Sequence, residues 1–164
     1  MKRLLIAALA AFVPAVANAG VGLTWFTGSE FGAKSYYASP MGLPTIDIHN
    51  KEFVVQLHAL DLVHGIVNEQ LYLGANGYMT TRRMKVNEDI GGVIAPGASL
   101  DIVTNFDFDP LNLAAQGLVR MGAQTQKGMG FGIYVVPGLG IAMAGGEFDV
   151  VMSGQLQIST WTNK

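Results

Sequence analysis

The chain has 164 residues, of which 50% are hydrophobic and only 13% charged; glycine is frequent at 21 residues, cysteine is absent and the formal net charge is -2. So many apolar residues with so little charge exclude a disordered chain, and the lack of cysteine excludes a disulfide scaffold or a thiolate metal site. With no basic excess to neutralise phosphates, the chain is not a nucleic-acid binder.

The N-terminus reads as a targeting segment. Lys2 and Arg3 precede an apolar run from Leu4 to Val13, and Ala17 and Ala19 are small residues placed for cleavage before Gly20. This is the pattern of a secretory signal peptide over residues 1–19. As a membrane anchor its apolar core is too short to span comfortably. The expected mature chain is one β-barrel domain over residues 20–164. Without Lys2 and Arg3 it keeps 8 basic residues against 12 acidic ones.

The mature chain alternates with a period of two, the signal of strands. Val21, Leu23 and Trp25 alternate with Gly22, Thr24 and Phe26, which predicts a strand over 20–27. Weaker strands are expected over 31–39 and 51–60. Clear alternation follows over 69–82, 98–109, 111–125, 128–143 and 146–161. In the window from Met129 to Met143 one face is large and apolar (Phe131, Ile133, Val135, Leu139, Ile141), and the other is mostly glycine. Gly145-Gly146 then fits a tight hairpin turn. The segments 40–50 and 83–97 are left as long connections, although Ile46 and Ile48 make Thr45–Asn50 a candidate extra strand.

Several segments invite other readings. The charge-free run Gly128–Gly146 resembles a transmembrane helix in length, but it holds seven glycines and Pro137, and glycine costs about 1 kcal/mol per helical position. In Gln56–Val67, His58, Asp61 and His64 recur every third residue. On a helix they would lie near one another as a metal or acid–base cluster, but no further ligand completes a set. Asp101, Asp107 and Asp109 lack the calcium-loop pattern, and Asp109-Pro110 is a turn initiator. Arg82-Arg83 with Lys85 reads as a solvated strand end that could touch lipid headgroups.

The strands are long for a globular protein, whose strands run about 5–6 residues. A strand that crosses a membrane takes about 9–11 residues at a tilt, and in lipid the sheet must close to pair every backbone donor. The expected fold is therefore all-β: an antiparallel up-and-down transmembrane β-barrel of about eight strands. A barrel of this size is filled by side chains. Gln116, Arg120, Gln124, Glu147, Asp149, Gln155 and Gln157 are its expected polar interior, with Arg120 pairing to Glu147 or Asp149. Aromatic girdles are expected at both ends. Trp25, Phe31, Phe106, Phe108 and Phe148 would stand at one end, and Tyr37, Phe53, Phe131 and Trp161 at the other.

In this pattern of strands the mature chain resembles the small eight-stranded bacterial outer-membrane barrels. No short diagnostic motif carries the resemblance. It implies a bacterial outer-membrane location, membrane lipid as partner, and a structural or small-ligand-binding role without legible catalysis or cofactor. Three features depart from that pattern. Trp161 is not the last residue and falls on the inward face by strict alternation. The long connections 40–50 and 83–97 land beside the termini. Pro137 interrupts a strand that needs ladder partners on both sides. The alternative is a secreted or periplasmic soluble barrel or sandwich with its apolar face inward, binding a hydrophobic ligand. A lipid-modifying enzyme would need a nucleophile and base at one rim, and no Ser–His–acid grouping is legible.

Overall fold

A computed structural model describes residues 20–32, 36–39, 45–49, 53–59, 70–80, 82–105, 112–125 and 129–162. The segments 1–19, 60–69 and 106–111 lie outside the described residues. So do the expected signal peptide, Asp61, His64, Phe106, Phe108, Asp107 and Asp109.

Ten strand segments make one antiparallel sheet: β1 (Gly20–Gly32), β2 (Tyr36–Ser39), β3 (Thr45–His49), β4 (Phe53–Ala59), β5 (Gln70–Met79), β6 (Arg82–Lys85), β7 (Ile90–Asn105), β8 (Asn112–Thr125), β9 (Gly130–Ala144) and β10 (Glu147–Trp161). β2 and β3 both pair with β1, at opposite ends of it, and so form one interrupted strand. β5 and β6 do the same against β7. β1 pairs with β10 from Gly22↔Trp161 to Gly32↔Val151, which closes the sheet into a ring of eight strands. Closure pairs the first strand with the last, so neither is left as an open edge of the sheet.

Two local devices shape the ring. Between Tyr78↔Gly97 and Arg82↔Ile94 the register slips by one residue, the signature of a β-bulge, and it does so beside Pro96, which has no N–H to give the ladder. Pro137 acts differently. The β8–β9 ladder lapses between Leu118↔Gly138 and Met121↔Val135 yet resumes in the same register, while Pro137 stays opposite Gly154 of β10. The proline therefore removes ladder bonds on one side only and needs no bulge. The β9–β10 turn is built on Gly145 and Gly146, both at positive φ (58° and 82°), the backbone that a two-residue type I′ hairpin requires.

The structure corrects several expectations. β1 runs to Gly32, past the expected end near residue 27, and the second strand begins at Tyr36. The expected connections 40–50 and 83–97 contain strand: β3 occupies Thr45–His49, where a candidate extra strand is expected, β6 occupies Arg82–Lys85, and β7 starts at Ile90. Small residues hid the start of β7, because Gly91, Val93 and Ala95 face inward with little contrast to their neighbours. The connections beside the termini thus shrink to the short spans 50–52, 86–89 and 126–129. The helical reading of 128–146 gives way to β9, and Gln56–Ala59 belongs to β4.

The two faces of the ring differ sharply. Val21, Leu23, Ile46, Leu57, Leu73, Leu100, Ile133, Val135, Leu139, Ile141, Val150, Met152 and Leu156 are all exposed. Thr24, Thr45, Asp47, Gln56, Asn76, Gln116, Arg120, Gln157 and Ser159 are buried. The barrel is inside-out: its apolar face points outward. This removes the reading of a soluble barrel lined by its apolar face.

Candidate functional site

The candidate site is the filled interior, built from the inward residue of every second position on each strand. Among the described residues it buries one cation, Arg120, and two anions, Asp47 and Asp101; Arg120 and Asp47 do not touch. Arg120 of β8 donates from Nη2 to Ser159 Oγ (2.7 Å). Ser159 and Thr24 are direct partners across the β1–β10 seam, and their hydroxyls lie 2.5 Å apart. Thr24 in turn donates to Asp47 Oδ2 of β3. Since the Thr24 hydrogen goes to Asp47, Ser159 must donate to Thr24. The result is a one-way chain, Arg120 to Ser159 to Thr24 to Asp47. Every hydroxyl in it both gives and accepts, so the chain links the two charges through the closing seam.

Asp47 collects further donors: Thr45 Oγ1 at 3.0 Å and Gln56 Nε2 at 3.4 Å. His49 Nε2 lies 3.2 Å from Asp47 Oδ2. Above them Gln157 Nε2 donates to Gln56 Oε1 (3.2 Å) and to the Tyr78 hydroxyl (3.2 Å). Asn76 Nδ2 reaches Gln56 Oε1 at 3.4 Å. Burial of an anion or an unpaired amide is costly without such partners.

The Arg120 guanidinium is held by rings as well as by a hydroxyl. Its carbon lies 3.6 Å from the centroid of Tyr134 and 5.4 Å from that of Tyr78. A desolvated cation–π contact contributes up to about 2 kcal/mol. Arg120 therefore does not pair with Glu147 or Asp149 as expected. Glu147 is exposed beside the β9–β10 turn and Asp149 is half-buried, several rungs away along β10. Around this centre Val54, Val93, Ala95, Leu118 and Val136 pack with the two tyrosines.

Glycines make room for the large inward rings. Tyr78 stands opposite Gly97, Tyr134 opposite Gly122, and Trp161 opposite both Gly22 and Gly130. A Cβ built on Gly122 would come within 2.8 Å of the Tyr134 backbone and ring, and one on Gly130 would overlap the Trp161 indole. Trp161 stacks on His49 with centroids 4.8 Å apart and planes 11° apart. Together they fill the end of the barrel that carries the termini.

The positions of the sequence-predicted residues can now be stated. Gln116, Arg120 and Gln157 are buried inward, while Gln124 and Gln155 are half-buried. Gln124 Oε1 accepts from the Tyr134 hydroxyl (2.8 Å), and Gln116 Oε1 from Ser153 Oγ (2.5 Å). Phe148 and Phe131 face outward near opposite ends, and Phe53, half-buried, sits opposite Met79 beside the termini. Trp25 also faces outward, but it lies level with Ile158 in the body of the sheet rather than at an end. Phe31 and Tyr37 are in β1 and β2, opposite Tyr36 and Glu30; this places Tyr37 at the end away from the termini, the reverse of the expectation. Trp161 is buried inside and not on the outer surface. The sequence reading missed Thr24, Thr45, Asp47, Asn76, Ser159 and both tyrosines. Asp47 stands between Ile46 and Ile48, in a segment that the alternation marks only as a candidate extra strand.

The interior supports no catalytic constellation among the described residues. His49 contacts Asp47, but the hydroxyls of Thr24 and Ser159 bond to the acid and the arginine and not to the imidazole, so no base addresses a nucleophile. No described group of three or more His, Cys, Asp or Glu residues is placed to hold a metal ion.

No protein-family model matches the chain, and no curated protein matches it. Among solved structures it is similar to Neisserial surface protein A, at 9% identity and a TM-score of 0.59, covering 90% of this chain and 97% of that one. It is also similar to Ail, the attachment invasion locus protein of Yersinia pestis, at 10% identity and a TM-score of 0.43, covering 87% and 96%. The chain has the fold of the small eight-stranded outer-membrane β-barrels.

Proposed function

We propose that this protein is exported, is cleaved before Gly20, and resides in the bacterial outer membrane as a β-barrel with a structural or small-ligand-binding role. The observation that carries this reading is the division of faces. Large apolar side chains are exposed on the outer surface while an aspartate, an arginine and several amides are buried within. In water that arrangement leaves an apolar belt unsatisfied on all sides, whereas in a bilayer the belt meets hydrocarbon. The filled interior supports a barrel that is not a wide channel, and any ligand would meet it at the end away from the termini, where the longer connections lie.

Fractionation of expressing bacteria tests the reading. The protein is expected in the outer-membrane fraction, with a gel mobility that shifts on boiling as the closed barrel unfolds. Recovery in the soluble periplasm would overturn it.

A further inference from the structure

Two buried atoms stand outside the polar network of the interior. Arg120 and Asn76 are 2% and 1% exposed, and Arg120 Nε and Asn76 Oδ1 have no hydrogen-bond partner among the described residues. Turning an amide round does not relieve this. Gln56 Nε2 faces Thr24 Oγ1 (3.1 Å) and Asp47 Oδ2 (3.4 Å). A carboxylate only accepts, so Gln56 keeps its nitrogen there and its oxygen toward Asn76. Asn76 must then present Nδ2 to that oxygen (3.4 Å), which leaves its own oxygen on the other branch of the amide. Arg120 is fixed in turn by Nη2 on Ser159 (2.7 Å) and by the Tyr134 ring, 3.6 Å from its guanidinium carbon. Buried polar atoms are nearly always bonded, and a donor and an acceptor left over together call for a partner.

We infer that ordered water inside the barrel binds both atoms, accepting from Arg120 Nε–H and donating to Asn76 Oδ1. The chemistry selects the ligand. A cation would suit the Asn76 oxygen but is repelled by Arg120. An anion would suit Arg120 but meets the lone pairs of the Asn76 oxygen. A small neutral molecule that both gives and accepts meets the two demands, and water is the one present wherever the barrel folds. Tyr78 supplies a third partner. It is the next inward residue after Asn76 on β5, its hydroxyl lies beside the Asn76 amide, and its ring centroid is 5.4 Å from the Arg120 guanidinium carbon. That hydroxyl accepts from Gln157 and keeps its own proton to give. Internal waters make about three hydrogen bonds, to buried polar groups of this kind. The core of the barrel is thus hydrated: fixed water completes what the side chains leave open.

The test is nuclear magnetic resonance of the chain from Gly20 to Lys164, isotope-labelled and refolded into lipid nanodiscs. From Gly20 onward the arginines are Arg82, Arg83 and Arg120, so few Nε–H signals have to be told apart. Arg82→Lys and Arg83→Lys, both in β6, each remove one signal and leave that of Arg120 identified. The Asn76 side-chain amide is assigned through its own backbone, so no interior variant is needed. Cross-peaks to water are expected at the Arg120 Nε–H and at the Asn76 amide, with opposite sign in the laboratory and rotating frames, the mark of a resident water. Absence of such a peak at either group would overturn the inference. So would peaks of equal sign in the two frames, which report proton exchange. Titration with sodium chloride is expected to leave both signals unmoved. A saturable shift at either group would put an ion there and overturn the assignment to water. All of these results leave the membrane reading standing.

Discussion

Thr24 and Ser159 face each other across the seam where the first strand meets the last, and their 2.5 Å hydroxyl contact is the middle link between the Arg120 cation and the Asp47 anion. Backbone pairing closes the ring, and this link ties the interior to that closure. Either hydroxyl, if removed, leaves one buried charge short of a partner. Ser159→Ala and Thr24→Val should each destabilise the barrel by about 1.5–3 kcal/mol, the worth of a hydrogen bond to a charged group. The double variant should cost clearly less than the sum, because the two residues serve one chain. Urea unfolding of the refolded protein in vesicles measures this. Fully additive losses would show that the two hydroxyls act separately.

Tyr134 holds Arg120 by its ring and Gln124 by its hydroxyl. The two contributions separate by substitution. Tyr134→Phe should cost about 1 kcal/mol, a single neutral hydrogen bond. Tyr134→Leu loses the cation–π contact as well and should cost about 2 kcal/mol more. The same unfolding measurement applies; a phenylalanine variant as unstable as the leucine variant would assign the effect to the hydroxyl instead.

Much of this architecture was legible in the sequence, and the failures have physical causes. Strict alternation over 111–125, 128–143 and 146–161 was readable because large outward residues there face glycine or polar inward ones. The same alternation placed Trp161 inward. The strand start at 90–97 was lost because both faces there are small or include Pro96. β3 is legible only as a candidate, because Pro40 and Pro44 precede a short run and strand pairing with Gly20–Thr24 decides its fate. The Arg120 partner was misjudged for another reason. Carboxylates close in sequence to the opposing strand end were obvious choices, whereas Asp47 reaches Arg120 only through two hydroxyls that ring closure brings together.

Glycine has two different roles on the two faces. Gly122 faces inward against Tyr134, so Gly122→Ala should force the ring or strand to shift and cost about 1–3 kcal/mol. An added Cβ at Gly154 meets nothing within 4 Å, so Gly154→Ala should be neutral or slightly stabilising, by about 0.5 kcal/mol. Unfolding midpoints of the two variants make the comparison, and equal losses would contradict the assigned faces.

The central claim, that the barrel is inside-out with its apolar face in lipid, has a direct test in the two tryptophans. Trp25 faces outward and is 43% exposed, whereas Trp161 is buried inside against His49. Trp161→Phe leaves Trp25 as the sole tryptophan, and Trp25→Phe leaves Trp161. Each variant is refolded into vesicles of ordinary lipid and of lipid brominated along its acyl chains, and fluorescence is compared. Strong quenching of Trp25 with little quenching of Trp161 is the expected result. Quenching of Trp161 equal to or greater than that of Trp25, or no quenching of either, would contradict it.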